Sequence, residues 1–214
     1  MDTAFFVTAF VTLFVIIDPI GLTPLFAALT QGMRARERRA IAIRACLVAA
    51  GVLALFALFG EAVLGFVGIS MPAFRIAGGV LLFLTALEML FEKRSKRRSD
   101  QAQEGEEATA FSHDDDSDPS VFPLGIPLIA GPGSIATVIL LSGQQAGFWG
   151  LVQVLGAAFA VLGAVFAMFL TAGLLERAIG KTGINVVTRL LGMLLAALAA
   201  QFVLEGLRDF GFAA

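Results

Sequence analysis

Two short runs in this chain hold residue types able to grip a solute inside otherwise apolar sequence. Asp18-Pro19-Ile20-Gly21, followed by Pro24, interrupts the first long apolar stretch, and Gly131-Pro132-Gly133-Ser134-Ile135-Ala136-Thr137 interrupts the fourth. Proline removes a backbone donor and glycine relaxes the chain, so each run predicts a broken helix. The second half-helix then begins with free N–H groups at the positive end of its dipole, a seat for a carboxylate. The first half-helix ends, around Ile17 and Ala130, in carbonyls suited to an ammonium or a metal cation, and Asp18 adds a full negative charge. A small zwitterion matches that pairing. The residues assigned to it are Asp18, Pro19, Gly21, Gly131, Gly133, Ser134, Ile135 and Thr137. Asp18 is also the coupling candidate, either taking a proton or sharing a sodium ion with carbonyls. An aspartate at the bilayer centre costs ~2.5–3.5 kcal/mol, so it is rarely idle, although an N-cap role is compatible with binding.

The elements that must position these runs are membrane helices. Hydrophobic residues make up 58% of the 214 residues and charged residues 15%, with a mean hydropathy of +0.88. A soluble domain has about 45–50% apolar and about 25% charged residues, so lipid must be part of the solvent. Six apolar stretches fall near 3–30, 40–65, 72–91, 121–143, 148–175 and 185–207, each near or above the ~20 residues a helix needs to cross. They lack the alternation of barrel strands. The expected fold is an all-α membrane protein of six transmembrane helices, with helices 1 and 4 broken at the midplane. The first stretch has no basic residue before Arg34, unlike a signal peptide.

Basic residues cluster between spans 1 and 2 (Arg34, Arg36, Arg38, Arg39), between 3 and 4 (Lys93, Arg94, Lys96, Arg97, Arg98) and between 5 and 6 (Arg177, Lys181). Positive loops stay cytoplasmic, which predicts a multi-pass plasma (inner) membrane protein with both termini outside. Residues 92–120 begin basic, turn acidic through Glu104 to Asp118, and read as a charged, flexible cytoplasmic linker rather than a cation site at His113 and the aspartates beside it. The linker separates two similar halves, 1–91 and 121–214. Arg75-Ile76-Ala77-Gly78-Gly79 aligns with Arg189-Leu190-Leu191-Gly192-Met193, and Asp18-Pro19-Ile20-Gly21 with Gly131-Pro132-Gly133-Ser134. Three spans per half force the second half to enter from the opposite side, giving two inverted three-helix repeats, a layout of many secondary transporters.

Together these motifs resemble the MarC family of bacterial inner-membrane proteins, over nearly the whole chain apart from 92–120. That family includes an archaeal transporter of small neutral amino acids and is similar in layout to the six-helix LysE-type exporters. The resemblance implies a plasma-membrane transporter of glycine- or alanine-like substrates.

Other residues carry plainer expectations. Arg75 and Arg189 are gate or structural residues, with Glu61 and Glu176 as partners, or they snorkel to the interface. Thr85 and Gln201 face the cavity or, more plainly, bridge helices by hydrogen bonds, Glu88 is a solvated carboxylate rather than a coupling group, and Gly156, Ala160, Gly163, Ala164 and Ala167 form a small-residue packing face on helix 5. One cysteine, Cys46, and one histidine exclude disulfide, redox-pair and common metal sites, so no metal or cofactor is expected beyond a coupling proton or sodium ion. A net charge of −2 argues against nucleic acid. The expected partners are the small zwitterion and the lipid bilayer, and a homo-oligomer is compatible with the sequence. The expected function is alternating-access transport of small neutral amino acids, proton- or sodium-coupled; the alternatives are an exporter of other small solutes or drugs, a channel, and a non-transporting stress or scaffold protein. An intramembrane enzyme lacks a nucleophile with a base beside it.

Overall fold

The computed structural model describes residues 3–94, 96–100, 119–145 and 147–212, with only the backbone of Glu176 and Lys181. The described residues are helical, with no strand among them. The elements are α1 (Thr3–Ile17), α2 (Pro19–Leu29), α3 (Ala35–Val67), α4 (Met71–Leu90), an irregular wide coil α5 (Ser120–Ile129), α6 (Pro132–Gln144), α7 (Phe148–Leu170) and α8 (Ala172–Asp209). Five helical stretches are long and apolar enough to cross a membrane, and α5 with α6 makes a sixth, bent by 56° at its break. The chain is an all-α membrane protein.

Local sequence sets the ends of these helices. Gly68, at φ 82°, closes α3 in the left-handed conformation that glycine adopts without steric cost, and Ile69 N–H returns to the Leu64 carbonyl. Ser70 then caps α4 by accepting from Ala73 N–H, with Pro72 in the first turn where its missing donor is harmless. In α8, Gly180 at φ 67° and ψ 169° interrupts the helix, so the spanning part is Thr182–Asp209.

The two halves pack crosswise. α1 lies on α7, and α2 on both α7 and α8; in the other half α5 lies on α3, and α6 on both α3 and α4. This exchange is what two inverted three-helix repeats produce, because each broken span is embraced by the unbroken spans of the other half. The halves join most extensively along α4 and α8, which run antiparallel at close range. A methyl group on Gly79 would lie 2.9 Å from the Ala199 carbonyl oxygen and 2.7 Å from Val203, and one on Gly192 would lie 3.2 Å from the Ala86 carbonyl oxygen and 3.4 Å from the Leu90 nitrogen. Gly79 stands to Ala199 and Val203 as Gly192 stands to Ala86 and Leu90. The repeat therefore aligns Gly79, not Gly78, with Gly192, one residue away from the alignment that matching the arginines suggested. Gly79→Ala is expected to cost about 1–3 kcal/mol by overpacking this seam, measured as thermal unfolding in detergent; a change within the scatter of surface variants would show the helices free to separate.

Two sequence expectations are corrected here. The small-residue face of the fifth span, α7, is not the packing face: Ala160, Gly163 and Ala167 are exposed, whereas Ala157, Ala158, Val161 and Val165 are buried. Apolar residues surround a membrane helix on all sides, so composition cannot tell lipid-facing from protein-facing positions. Nor is the start of the 92–120 segment a solvated connector. Residues 93–94 and 96–100 are helical, and Arg94 and Arg98 are buried. The acidic run and His113 lie outside the described residues.

Candidate functional site

The break in the first span is built around Asp18. Its backbone is left-handed (φ 56°, ψ 66°), a conformation aspartate tolerates better than most residues. Pro19 starts α2 at a position where its missing donor costs nothing. The Asp18 side chain is fully buried and turns back as an N-cap, its Oδ1 accepting from Gly21 N–H at 3.0 Å. Pro24 leaves α2 short of one backbone bond, and the Thr23 hydroxyl donates to the Pro19 carbonyl at 2.8 Å. α1 and α2 nonetheless continue as a single span, Thr3–Leu29.

The second break has the same plan without the carboxylate. Gly131 occupies the N-cap position that Asp18 holds in the first half, and Pro132 again starts the helix, but no side chain caps α6. The Ser134 hydroxyl donates to the Ile129 carbonyl at 2.8 Å and the Gly131 carbonyl at 3.0 Å, tying the end of α5 to the start of α6. A methyl on Gly131 would sit 2.5 Å from the Pro127 carbonyl oxygen, so only glycine fits this turn. The breaks are neighbours: a methyl on Gly133 would meet the end of the Ile16 side chain at 2.9 Å.

Between them lies a cavity of about 180 Å³ whose wall includes Ile16, Thr85, Gly131, Gly133, Ser134 and three arginines. The arginines come from the turn after α4. Arg98 Nη1 reaches Asp18 Oδ2 at 3.1 Å and its Nη2 donates to the Ile17 carbonyl at 2.9 Å. Arg94 donates to the Ile16 carbonyl and, at 2.8 Å, to the Met89 sulfur. The terminal carbonyls of α1 are thus capped by two guanidinium groups. Burial lowers the Arg94 pKa to about 9, with Arg98 adding repulsion and Asp18 opposing it; a guanidinium nonetheless keeps its proton in proteins. Burial likewise lowers that of Arg98, against the attraction and hydrogen bond of Asp18. Arg97 pairs with Glu88 at 2.7 Å. A second cavity, of about 250 Å³, lies on the other side of Arg98, against Gly21, Pro24 and Asn185.

Of the residues singled out in the sequence, Gly131, Gly133 and Ser134 meet at the first cavity. Gly21 lies at the second, its N–H committed to Asp18, so the two half-helix N-termini do not share one chamber. Asp18 lines neither cavity, because Arg98 covers it. Pro19 is buried in the core, Ile135 packs beside it with its N–H bonded to the Gly131 carbonyl, and the Thr137 hydroxyl is spent on the Gly133 carbonyl at 2.8 Å. Thr85 faces the cavity while donating to Leu81 of its own helix at 2.9 Å, and Gln201 bonds Glu205 at 3.0 Å; neither bridges helices through these bonds.

Arg75 and Arg189 find partners other than the ones anticipated. Arg75 pairs with Asp209 at the end of α8, and Arg189 with Glu92 just beyond α4, at 2.7 Å. Glu61 is exposed on α3, and the Glu176 side chain lies outside the described residues. Each arginine ties α4 to α8 at one end of their seam, a structural role far from the breaks. Arg94 and Arg98 were missed as site residues because their basic surroundings read as topology signals. The available clue was their i, i+4 spacing, which puts both on one helical face, together with an Asp18 that needed a counter-charge.

These features define an integral membrane protein with a buried polar cluster where two interrupted helices meet. A family model described as MarC family integral membrane protein matches residues 3–210. The chain is similar to the UPF0056 membrane protein YvbG of Bacillus subtilis (38% identity over 97% of this chain and 96% of that one). It is also similar to the UPF0056 membrane protein of Aquifex aeolicus (36%, covering 95% and 92%) and to the UPF0056 inner membrane protein YhgN of Escherichia coli (35%, covering 94% and 95%). The protein belongs to the MarC family. No solved structure matches it.

Proposed function

We propose that this chain is a secondary carrier of small neutral amino acids, of glycine, alanine and serine size, working by alternating access between its two inverted halves in the inner membrane. The observation that carries this reading is the cavity where the uncapped start of α6 meets the end of α1. Free N–H groups at Gly133 and Ser134 receive the substrate carboxylate. The amine end takes the place of the Arg98 guanidinium on Asp18, which links substrate arrival to movement of the arginine-bearing turn. The positive-inside rule supports a cytoplasmic position for that turn, with both termini outside. Asp18 couples the cycle to a proton or a sodium ion through the same exchange.

The test is uptake of labelled glycine, alanine and serine into proteoliposomes under imposed proton or sodium gradients. Saturable uptake and counter-exchange are expected, with gradient-driven accumulation lost in Asp18→Asn while the variant still inserts and elutes as a folded species. Absence of flux for every small amino acid, or flux that never saturates, would remove the carrier reading.

A further inference from the structure

The charges around the first cavity do not balance. Among the described residues, three guanidinium groups, Arg94, Arg97 and Arg98, stand against two carboxylates. Asp18 is taken by Arg98 and Glu88 by Arg97. Arg94 is left with the Ile16 carbonyl and the Met89 sulfur, both neutral, and its buried Nε has no hydrogen-bond partner. It is 6% exposed and lines the cavity. Asp18 and Glu88 act on Arg94 from a distance but are each paired with another arginine, so among the described residues the buried cluster carries one positive charge in excess, which is unfavourable unless an anion is received. The same cavity is lined by the uncapped start of α6, a 13-residue helix whose dipole and free N–H groups favour the same sign of ligand.

We infer that this cavity is a self-sufficient anion site, in which a compact monovalent anion lies between Arg94 and the N-terminus of α6 and needs no ammonium partner at Asp18. The shared chemistry is a single negative charge on a small group, supplied either by a carboxylate or by a free halide. The inference rests on the carrier reading only in that the carboxylate of an amino acid substrate would use the same seat. It adds that the anion half is complete while Arg98 still covers Asp18. Anion binding therefore precedes release of the Arg98–Asp18 pair, and a ligand with no amine binds without triggering that release.

Thermal unfolding of the full chain in detergent separates these claims, because a ligand that binds only the folded state raises the midpoint with concentration. The baseline contains sulfate as the only anion, with acetate, chloride or glycine added at constant ionic strength. Acetate is expected to raise the midpoint in wild type and in Asp18→Asn but not in Arg94→Gln, with Arg94→Lys retaining a weaker response. A chloride response that competes with acetate assigns the seat to small anions in general; a response to acetate alone assigns it to carboxylates. If glycine stabilises the protein and acetate and chloride do not, the self-sufficient site is wrong and the carrier reading stands. If acetate binds as expected and no amino acid is transported, the site stands and the carrier reading falls. An acetate response unchanged in a well-folded Arg94→Gln protein also overturns the assignment. Should Arg94→Gln fail to fold, a weakened acetate response in folded Arg94→Lys supports it and an undiminished response sinks it.

Discussion

Replacing Arg98 with methionine is expected to destabilise the folded chain by about 3–5 kcal/mol, the usual cost of removing one partner from a buried ion pair. Asp18 is fully buried, and Arg98 is the cation that reaches it. Without the guanidinium, the carboxylate keeps, among the described residues, only the Gly21 N–H, and the Ile17 carbonyl loses a donor. The double variant Asp18→Asn with Arg98→Met removes both charges and is expected to recover most of the loss, since a neutral amide still caps α2. Unfolding midpoints in detergent for the two singles and the double complete the cycle. An Arg98→Met protein within ~0.5 kcal/mol of wild type, the range of ordinary surface substitutions, would mean that the turn after α4 is not held in the break. The same cycle bears on transport: the carrier needs the pair to open, so its strength sets how much binding energy the arriving substrate must supply.

The second large effect belongs to Gly131. Its backbone is extended (φ −88°, ψ 173°), so no strain attaches to the conformation itself; the obstacle is steric. An added methyl would press on the Pro127 carbonyl oxygen at 2.5 Å, and that oxygen is backbone and cannot swing aside. Gly131 also supplies the carbonyl bonded by Ile135 N–H and the Ser134 hydroxyl, so displacing it moves the start of α6. Gly131→Ala is expected to cost about 1–3 kcal/mol of stability. It should also weaken ligand binding at least tenfold, about 1.4 kcal/mol, as seen in the ligand-induced thermal shift. Gly163→Ala on α7 is the control, because an added methyl there would meet nothing within 4 Å. Equal effects of the two substitutions would show that the turn geometry at Gly131 is not what shapes the seat.

Much of this protein was decided locally and can be read from the chain alone. An apolar run of ~20 residues is a membrane helix whatever its neighbours do, because no other open structure satisfies its backbone in lipid. Proline and glycine act on their own turn, so the breaks at Asp18-Pro19 and Gly131-Pro132 appear where the residues stand. What the tertiary structure alone decided are contacts between distant segments: the fold-back of Arg94 and Arg98 onto the end of α1, the register that pairs Gly79 with Gly192, and the pairing of Arg75 and Arg189 with the far ends of α8 and α4. The same holds for which side of α7 meets protein. Hydrophobicity cannot report these in a membrane, where lipid and protein core are equally apolar, and a loop arginine looks the same in sequence whether it meets water or a buried aspartate.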